Sequence, residues 1–197
     1  IVFDGETWHL FVSMGSNQTS SGGANVATGI GYATSTDGVT FTLQEDVLVP
    51  YEGLALGLAS ATILDGVIHL LYVEKPDLRL ATYPVDGSAE WTFVEEPVLT
   101  SAEVGDWAGT WVFAPSFFCE TDQDQDFSLL FGGDSTSGTR SLGFGTSADA
   151  EIWDWEGPLS GGDLPVSSLN HWDVLEALDD YVMWYSMTDP STGLKAI

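Results

Sequence analysis

Among the 30 acidic side chains of the sequence, two stand where their neighbours give them a reason to act. Glu176 lies in the apolar run Val174-Leu175-Glu176-Ala177-Leu178. On a strand, that setting withdraws water from the carboxyl group and disfavours its ionised form, which suits it to general-acid work. The alternative is a carboxylate at a solvated strand end. Asp173 stands three positions earlier, so on a regular strand the two face opposite sides. Both line one pocket only if Asp173 still belongs to the segment leading into the strand. Asp106, ahead of the apolar pattern that starts at Trp111, is a third candidate carboxylate.

Other reactive-looking features carry simpler readings. Asp122-Gln123-Asp124-Gln125-Asp126 has the alternating carboxylates that open a calcium loop. It lacks the glycine at position six and the bidentate glutamate at twelve, where Phe127 and Gly133 stand, so a solvated hairpin tip fits better than a structural Ca2+ site. Cys119 follows Phe117-Phe118 with no histidine near it in sequence, which reads as a buried structural thiol. As the single cysteine it excludes an internal disulfide framework. There is no glycine-rich phosphate loop and no His/Cys ligand cluster, so no metal or other cofactor is expected.

The elements that must hold these residues repeat. A short strand pattern recurs at Trp8–Ser13, Ile68–Val73, Phe127–Gly132 and Tyr181–Ser186. A second pattern follows the first three, at Gly31–Gly38, Leu80–Gly87 and Gly143–Asp149, and each leads to an aromatic strand at Val39–Leu43, Trp91–Val94 or Ile152–Trp155. Asp-Gly pairs at Asp4-Gly5, Asp37-Gly38, Asp65-Gly66 and Asp86-Gly87 signal hairpins of type I′, whose central residues both need positive φ. No segment keeps a helical period. Four antiparallel strands repeated at this spacing describe a β-propeller blade. A β-sandwich, the competing all-β reading, would not recur as a four-part unit. The units fall at 1–51, 53–101, 104–160 and 167–197 of a partial propeller domain spanning 1–197. The pattern places the innermost strand of the first unit before Ile1 and stops within the third strand of the fourth. The sequence therefore reads as about three and a half blades, a fragment of a ring.

Composition narrows the partners. Four basic residues against the 30 acidic ones give a net charge of −26, which repels a phosphate backbone and an anionic membrane surface. Nucleic acid is excluded as a partner, and no apolar run is long enough to insert into a membrane. A surface this acidic repels itself at low ionic strength and is relieved when salt screens it, which points to an extracellular or cell-surface setting, and a salty one.

Gly31-Tyr32-Ala33-Thr34-Ser35-Thr36-Asp37-Gly38-Val39-Thr40-Phe41 resembles the blade signature of the five-bladed propellers shared by arabinanases, β-xylosidases, invertases and levansucrases. Trp111-Val112-Phe113-Ala114-Pro115-Ser116 is similar to an inner-strand motif of the arabinanase and β-xylosidase group, and Met183-Trp184-Tyr185-Ser186 to a second-strand motif of the same superfamily. The resemblance implies a five-bladed propeller acting on oligo- or polysaccharide in a central funnel. There, three inner-strand carboxylates share the work: a base or nucleophile, a tuning Asp and a Glu acid. Glycoside cleavage needs one carboxylic acid protonated and another ionised. On this chain the resemblance implies Glu176 as acid and Asp173 or Asp106 as second carboxylate. Ser116 stands where a tuning Asp would follow Ala114-Pro115, a departure that counts against ordinary catalysis. Trp107, Trp111 and Trp172 would stack on sugar rings, unless they simply fill the core, and His171 is a substrate contact or a loop histidine. Two rivals keep the fold and drop the chemistry: a non-catalytic glycan-binding propeller and a purely structural surface propeller.

Overall fold

The structure, a computed structural model, describes residues 1–19, 25–50, 56–119, 127–159, 169–177, 180–188 and 195–196. It consists of antiparallel sheets built in chain order. The first contains β1 (Val2–Phe3), β2 (Trp8–Thr19), β3 (Asn25–Ser35) and β4 (Thr42–Pro50). The second contains β5 (Leu56–Leu64), β6 (Val67–Glu74), β7 (Asp77–Pro84) and β8 (Thr92–Phe93). The third contains β9 (Trp111–Cys119), β10 (Phe127–Asp134), β11 (Arg140–Ser147) and β12 (Asp154–Glu156). The fourth shows β13 (Leu169–Ala177), β14 (Asp180–Thr188) and β15 (Lys195–Ala196). Each sheet is a simple meander, the arrangement of a propeller blade.

Two details differ from the sequence pattern. The inner position of the first sheet, assigned to residues before Ile1, is held by Val2–Phe3, which pair with His9 and Trp8. The fourth strand of that sheet starts at Thr42 rather than Val39, because residues 36–40 form a turn closed on Asp37. Asp37 Oδ1 accepts the amides of Val39 and Thr40 at 2.8 and 2.7 Å, and Ser35 Oγ accepts that of Gly38 at 2.9 Å. The third sheet repeats the device: Asp149 Oδ1 takes the amides of Glu151 and Ile152, and Ser147 Oγ takes that of Ala150. The side chain satisfies backbone donors that a wide turn would otherwise leave to water.

Of the four Asp-Gly pairs, only Asp65-Gly66 has both residues at positive φ, 50° and 74°, as the two-residue turn between β5 and β6 requires. At the others only glycine is left-handed. Asp4 instead accepts the Glu6 and Thr7 amides on its own carboxylate at 2.8 and 2.6 Å, which makes a wider turn.

The core lies between neighbouring sheets. Ile30 and Tyr32 of β3 meet Leu70 and Tyr72 of β6, while Leu71, Leu80, Phe117, Phe127, Leu129 and Phe131 join the larger cluster around the second and third sheets. A sheet covered on both faces loses the alternation of a half-exposed strand. β10 is accordingly buried at every position from Phe127 to Gly133. The helical elements are short: α1 (Ser101–Val104), closed by a Thr100/Glu103 capping box, and a 3-10 turn at Asp106–Ala108. No helix among the described residues is long and apolar enough to cross a membrane.

Candidate functional site

The inner strands β1, β5, β9 and β13 stand side by side, and a cavity of about 390 Å3 opens between them. Ser60 and Thr62 of β5, Pro115 and Phe118 of β9, and His171 and Asp173 of β13 are among the residues that line it.

One local feature aims these side chains. Each of the three longer inner strands carries one extra residue against its partner: between Gly57 and Ala59 in β5, between Phe113 and Ser116 in β9, and between Leu169 and His171 in β13. A bulge of this kind bends the strand and re-aims the side chains beyond it. In β9 it falls on Ala114-Pro115. Ala114 adopts φ 47°, a left-handed conformation costing an L-residue about 1–2 kcal/mol. Proline is suited to the next position, where the interrupted ladder asks for no donor.

Beyond the bulges, Ser60 pairs with Leu71, Ser116 with Leu130 and Asp173 with Trp184. Those partners occupy the fourth place of the recurring second-strand pattern, so Ser60, Ser116 and Asp173 are one position in three successive sheets. They form a ladder across the inner strands. Ser60 Oγ accepts the amide of Phe117 in the next sheet at 3.0 Å. Ser116 Oγ accepts the amide of Val174 in the sheet after that at 2.8 Å, and donates its own proton to Asp173 Oδ1 at 3.0 Å. Asp173 Oδ1 also lies 3.1 Å from the Val174 amide. Both bonds use Oδ1, so Oδ2 is the oxygen left to the cavity. Asp173 is exposed, Ser116 is 1% exposed, and Asp173 is the only carboxylate among the described residues lining the cavity.

The sequence-derived candidates separate accordingly. Asp173 and His171 come together at the cavity. Ser116 is no substrate contact, because its hydroxyl is buried and occupied by Asp173 and Val174. Asp173 does not lie in an entering loop: the register runs without interruption from His171 to Ala177. Glu176 pairs with Tyr181 next to the β13–β14 turn, and its side chain lies outside the described residues. Asp106 is exposed on the 3-10 turn, which packs on β10 and β11, and does not line the cavity. Asp122–Asp126 lie outside the described residues.

Nor do the tryptophans form a platform. Trp107 packs into a socket of glycines: a Cβ on Gly133, Gly143 or Gly157 would meet its ring at 2.7, 2.7 and 2.8 Å. Trp111 donates its indole proton to Asp134 Oδ2 at 2.9 Å and stacks on Phe113, with the Lys75 ammonium 4.7 Å above its ring centroid. Trp172 reaches the cavity wall but is 7% exposed, its ring against Phe113 and over Gly132. The site is steadied from this side. Arg140 grips Asp134 through Nε and Nη2 at 3.0 and 3.2 Å and donates through Nη1 to the Leu169 carbonyl at 2.7 Å, where β13 begins. Burial works to raise the Asp134 pKa, but the hydrogen bonds from Arg140 and Trp111 outweigh it and hold the carboxyl below its ordinary range.

Sequence reasoning passed over Ser60 and Thr62. The available signal was the repeat itself, since Ser60 holds in the second unit the place Ser116 holds in the third.

No protein-family model and no curated protein matches this sequence. Solved structures do. The chain superposes on sucrose-6-phosphate hydrolase from Lactobacillus gasseri with a TM-score of 0.68 at 15% identity, covering 93% of this chain and 38% of that one. For the Bacillus subtilis arabinanase the TM-score is 0.65 at 14% identity, with 99% and 67% covered. This chain has the β-propeller fold of glycoside hydrolases. A GH62 hydrolase solved in complex with xylotriose matches at a TM-score of 0.62 and 15% identity, covering 85% of this chain and 64% of that one. This propeller chain thus spans between about a third and two thirds of the length of these enzymes.

Proposed function

We propose that this propeller binds an oligosaccharide in the cavity between its inner strands and cleaves a glycosidic bond there, with Asp173 as the ionised carboxylate. The observation that carries the reading is the buried Ser116 hydroxyl held on Asp173 Oδ1, which fixes an exposed carboxylate that lines the cavity. A carboxylate held in one orientation in this way is placed to act as a base or nucleophile. Phe118 and the wall of Trp172 supply apolar surface, and Ser60, Thr62 and His171 supply hydrogen-bonding groups, a mixture that suits a sugar. The fold shared with hydrolases of sucrose 6-phosphate and arabinan, and with a hydrolase that holds xylotriose, supports a saccharide over other ligands.

Cleavage also requires a protonated group across the bond. Glu176 is the proposed acid, and its side chain lies outside the described residues. The second reading is therefore a glycan-binding propeller without turnover, favoured by the single carboxylate among the described lining residues. The test is Asp173→Asn, assayed for reducing-end release and for binding on xylo-, arabino- and fructo-oligosaccharides. A catalytic Asp173 predicts that turnover falls by about 10^3-fold or more while binding persists. Binding by the wild type without any turnover selects the second reading, and no binding by either protein overturns both.

A further inference from the structure

A second cavity, of about 310 Å3, lies between the first two sheets and shares no lining residue with the central one. His9 of β2 pairs with Thr34 of β3, and Phe11 with Tyr32, so these four side chains share one face of the first sheet. Opposite them stand Tyr83, Glu90 and Trp91, around the turn from β7 to β8.

Its polar groups are held in fixed directions. His9 is 3% exposed, with Nε2 3.1 Å from Asp4 Oδ2 and Nδ1 2.7 Å from the Tyr32 hydroxyl. A carboxylate only accepts, so in a neutral imidazole the proton sits on Nε2 and Nδ1 accepts from Tyr32. In that tautomer Tyr32 has its proton committed and presents its oxygen lone pairs to a ligand. Asp4 is itself fixed by the amides of Glu6 and Thr7. Gln44 donates through its amide nitrogen to Thr34 Oγ1 at 2.8 Å and to the Thr42 carbonyl at 3.4 Å, leaving its own carbonyl oxygen. The Thr34 hydroxyl accepts that bond and keeps its own proton. The cleft thus offers acceptors at Tyr32, Gln44 and Glu90, and donors at Thr34 and Tyr83.

The chemistry of the walls selects the ligand. No Lys or Arg lines the cleft and Glu90 does, which opposes an anion. A caged ammonium needs free aromatic faces. Here Tyr32 lies parallel to Phe11 at 5.3 Å and to His9 at 6.0 Å, while Tyr83 and Trp91 face each other at 4.9 Å. Ring edges and hydroxyls remain, interleaved as donors and acceptors. That pattern matches a neutral polyhydroxylated ring, and the volume is at the lower end of small-molecule pockets, about 300–1,000 Å3. We infer that the cleft between the first two blades is a second binding site, for a neutral sugar of monosaccharide size, independent of the central cavity.

The test follows the Trp91 indole N–H signal in 1H–15N spectra of the whole chain, assigned with Trp91→Phe, while D-glucose, D-xylose, L-arabinose or D-fructose is added. The expected result is a saturable shift with at least one of these sugars below about 100 mM. Gln44→Ala, at an exposed position, should weaken it about fivefold, as loss of one neutral hydrogen bond does. Asp173→Asn should leave it unchanged, so failure of the central-cavity reading does not touch this one. Glucuronate should give no shift. The inference is overturned by no saturable shift with any of the four sugars, by a shift indifferent to Gln44→Ala, or by choline saturating the signal at lower concentration than the sugars.

Discussion

Ser60→Ala and Ser116→Ala remove the same atom from the same position of adjacent sheets, yet their costs should differ. The Ser60 hydroxyl takes the amide of Phe117, which is 4% exposed, and no second acceptor for that N–H stands beside it among the described residues. A buried donor left without a partner costs about 1–3 kcal/mol. We expect about 2 kcal/mol for Ser60→Ala, because a serine-to-alanine change leaves almost no void. Ser116→Ala orphans the Val174 amide only in part, since Asp173 Oδ1 lies 3.1 Å from it. Its cost should be about 1 kcal/mol. Removing that fallback is the decisive step: on an Asp173→Ala background, Ser116→Ala should cost about 2 kcal/mol, a coupling of about 1 kcal/mol between the two sites. Urea unfolding of the four proteins of the cycle and of Ser60→Ala supplies every number. In thermal melts the same differences appear as about 2–4 °C per kcal/mol for a chain of this size. A Ser60→Ala protein as stable as the wild type, or additive effects of Ser116→Ala and Asp173→Ala, would refute the ladder.

Other expectations rest on the same geometry. Gly143→Ala should destabilise by about 1–3 kcal/mol, because its Cβ would meet Phe131 at 2.6 Å and Trp107 at 2.7 Å; differential scanning calorimetry reads the loss. The Asp37 carboxyl is held down to about 2 by the amides of Thr40 and Val39 and the Ser35 hydroxyl. A depressed carboxylate stabilises above its unfolded pKa and loses that contribution as pH falls through the folded one. Acid titration of Asp37→Asn should therefore show a smaller loss of stability between about pH 4 and pH 2 than the wild type. With a net charge of −26, the melting temperature should rise from low salt to molar salt as self-repulsion is screened, and a flat profile would dissociate stability from the surface charge.

The sheets were legible because each unit repeats a strand pattern and the first three punctuate it with Asp-Gly or Ser-x-Asp. The unbroken register of β13 decided between the strand and the loop for Asp173. From the sequence the tryptophans stood between sugar platform and core filling. Their burial depends on glycines far away in sequence: the socket of Trp107 is built from Gly133, Gly143 and Gly157, each ordinary in its own strand. The bulges were hidden for a related reason. An extra residue such as Ala114 is defined only against a partner strand, and it decides whether Ser116 points at solvent or at Asp173.

Saccharide binding between the inner strands is tested at residue level by chemical-shift mapping of the chain titrated with xylotriose and arabinotriose. Occupancy of the central cavity predicts saturable shifts concentrated on Ser60, Thr62, Phe118, His171 and Asp173, from three different strands but one cavity. Shifts that leave these residues unmoved while appearing elsewhere, or no shifts with either sugar, would contradict it.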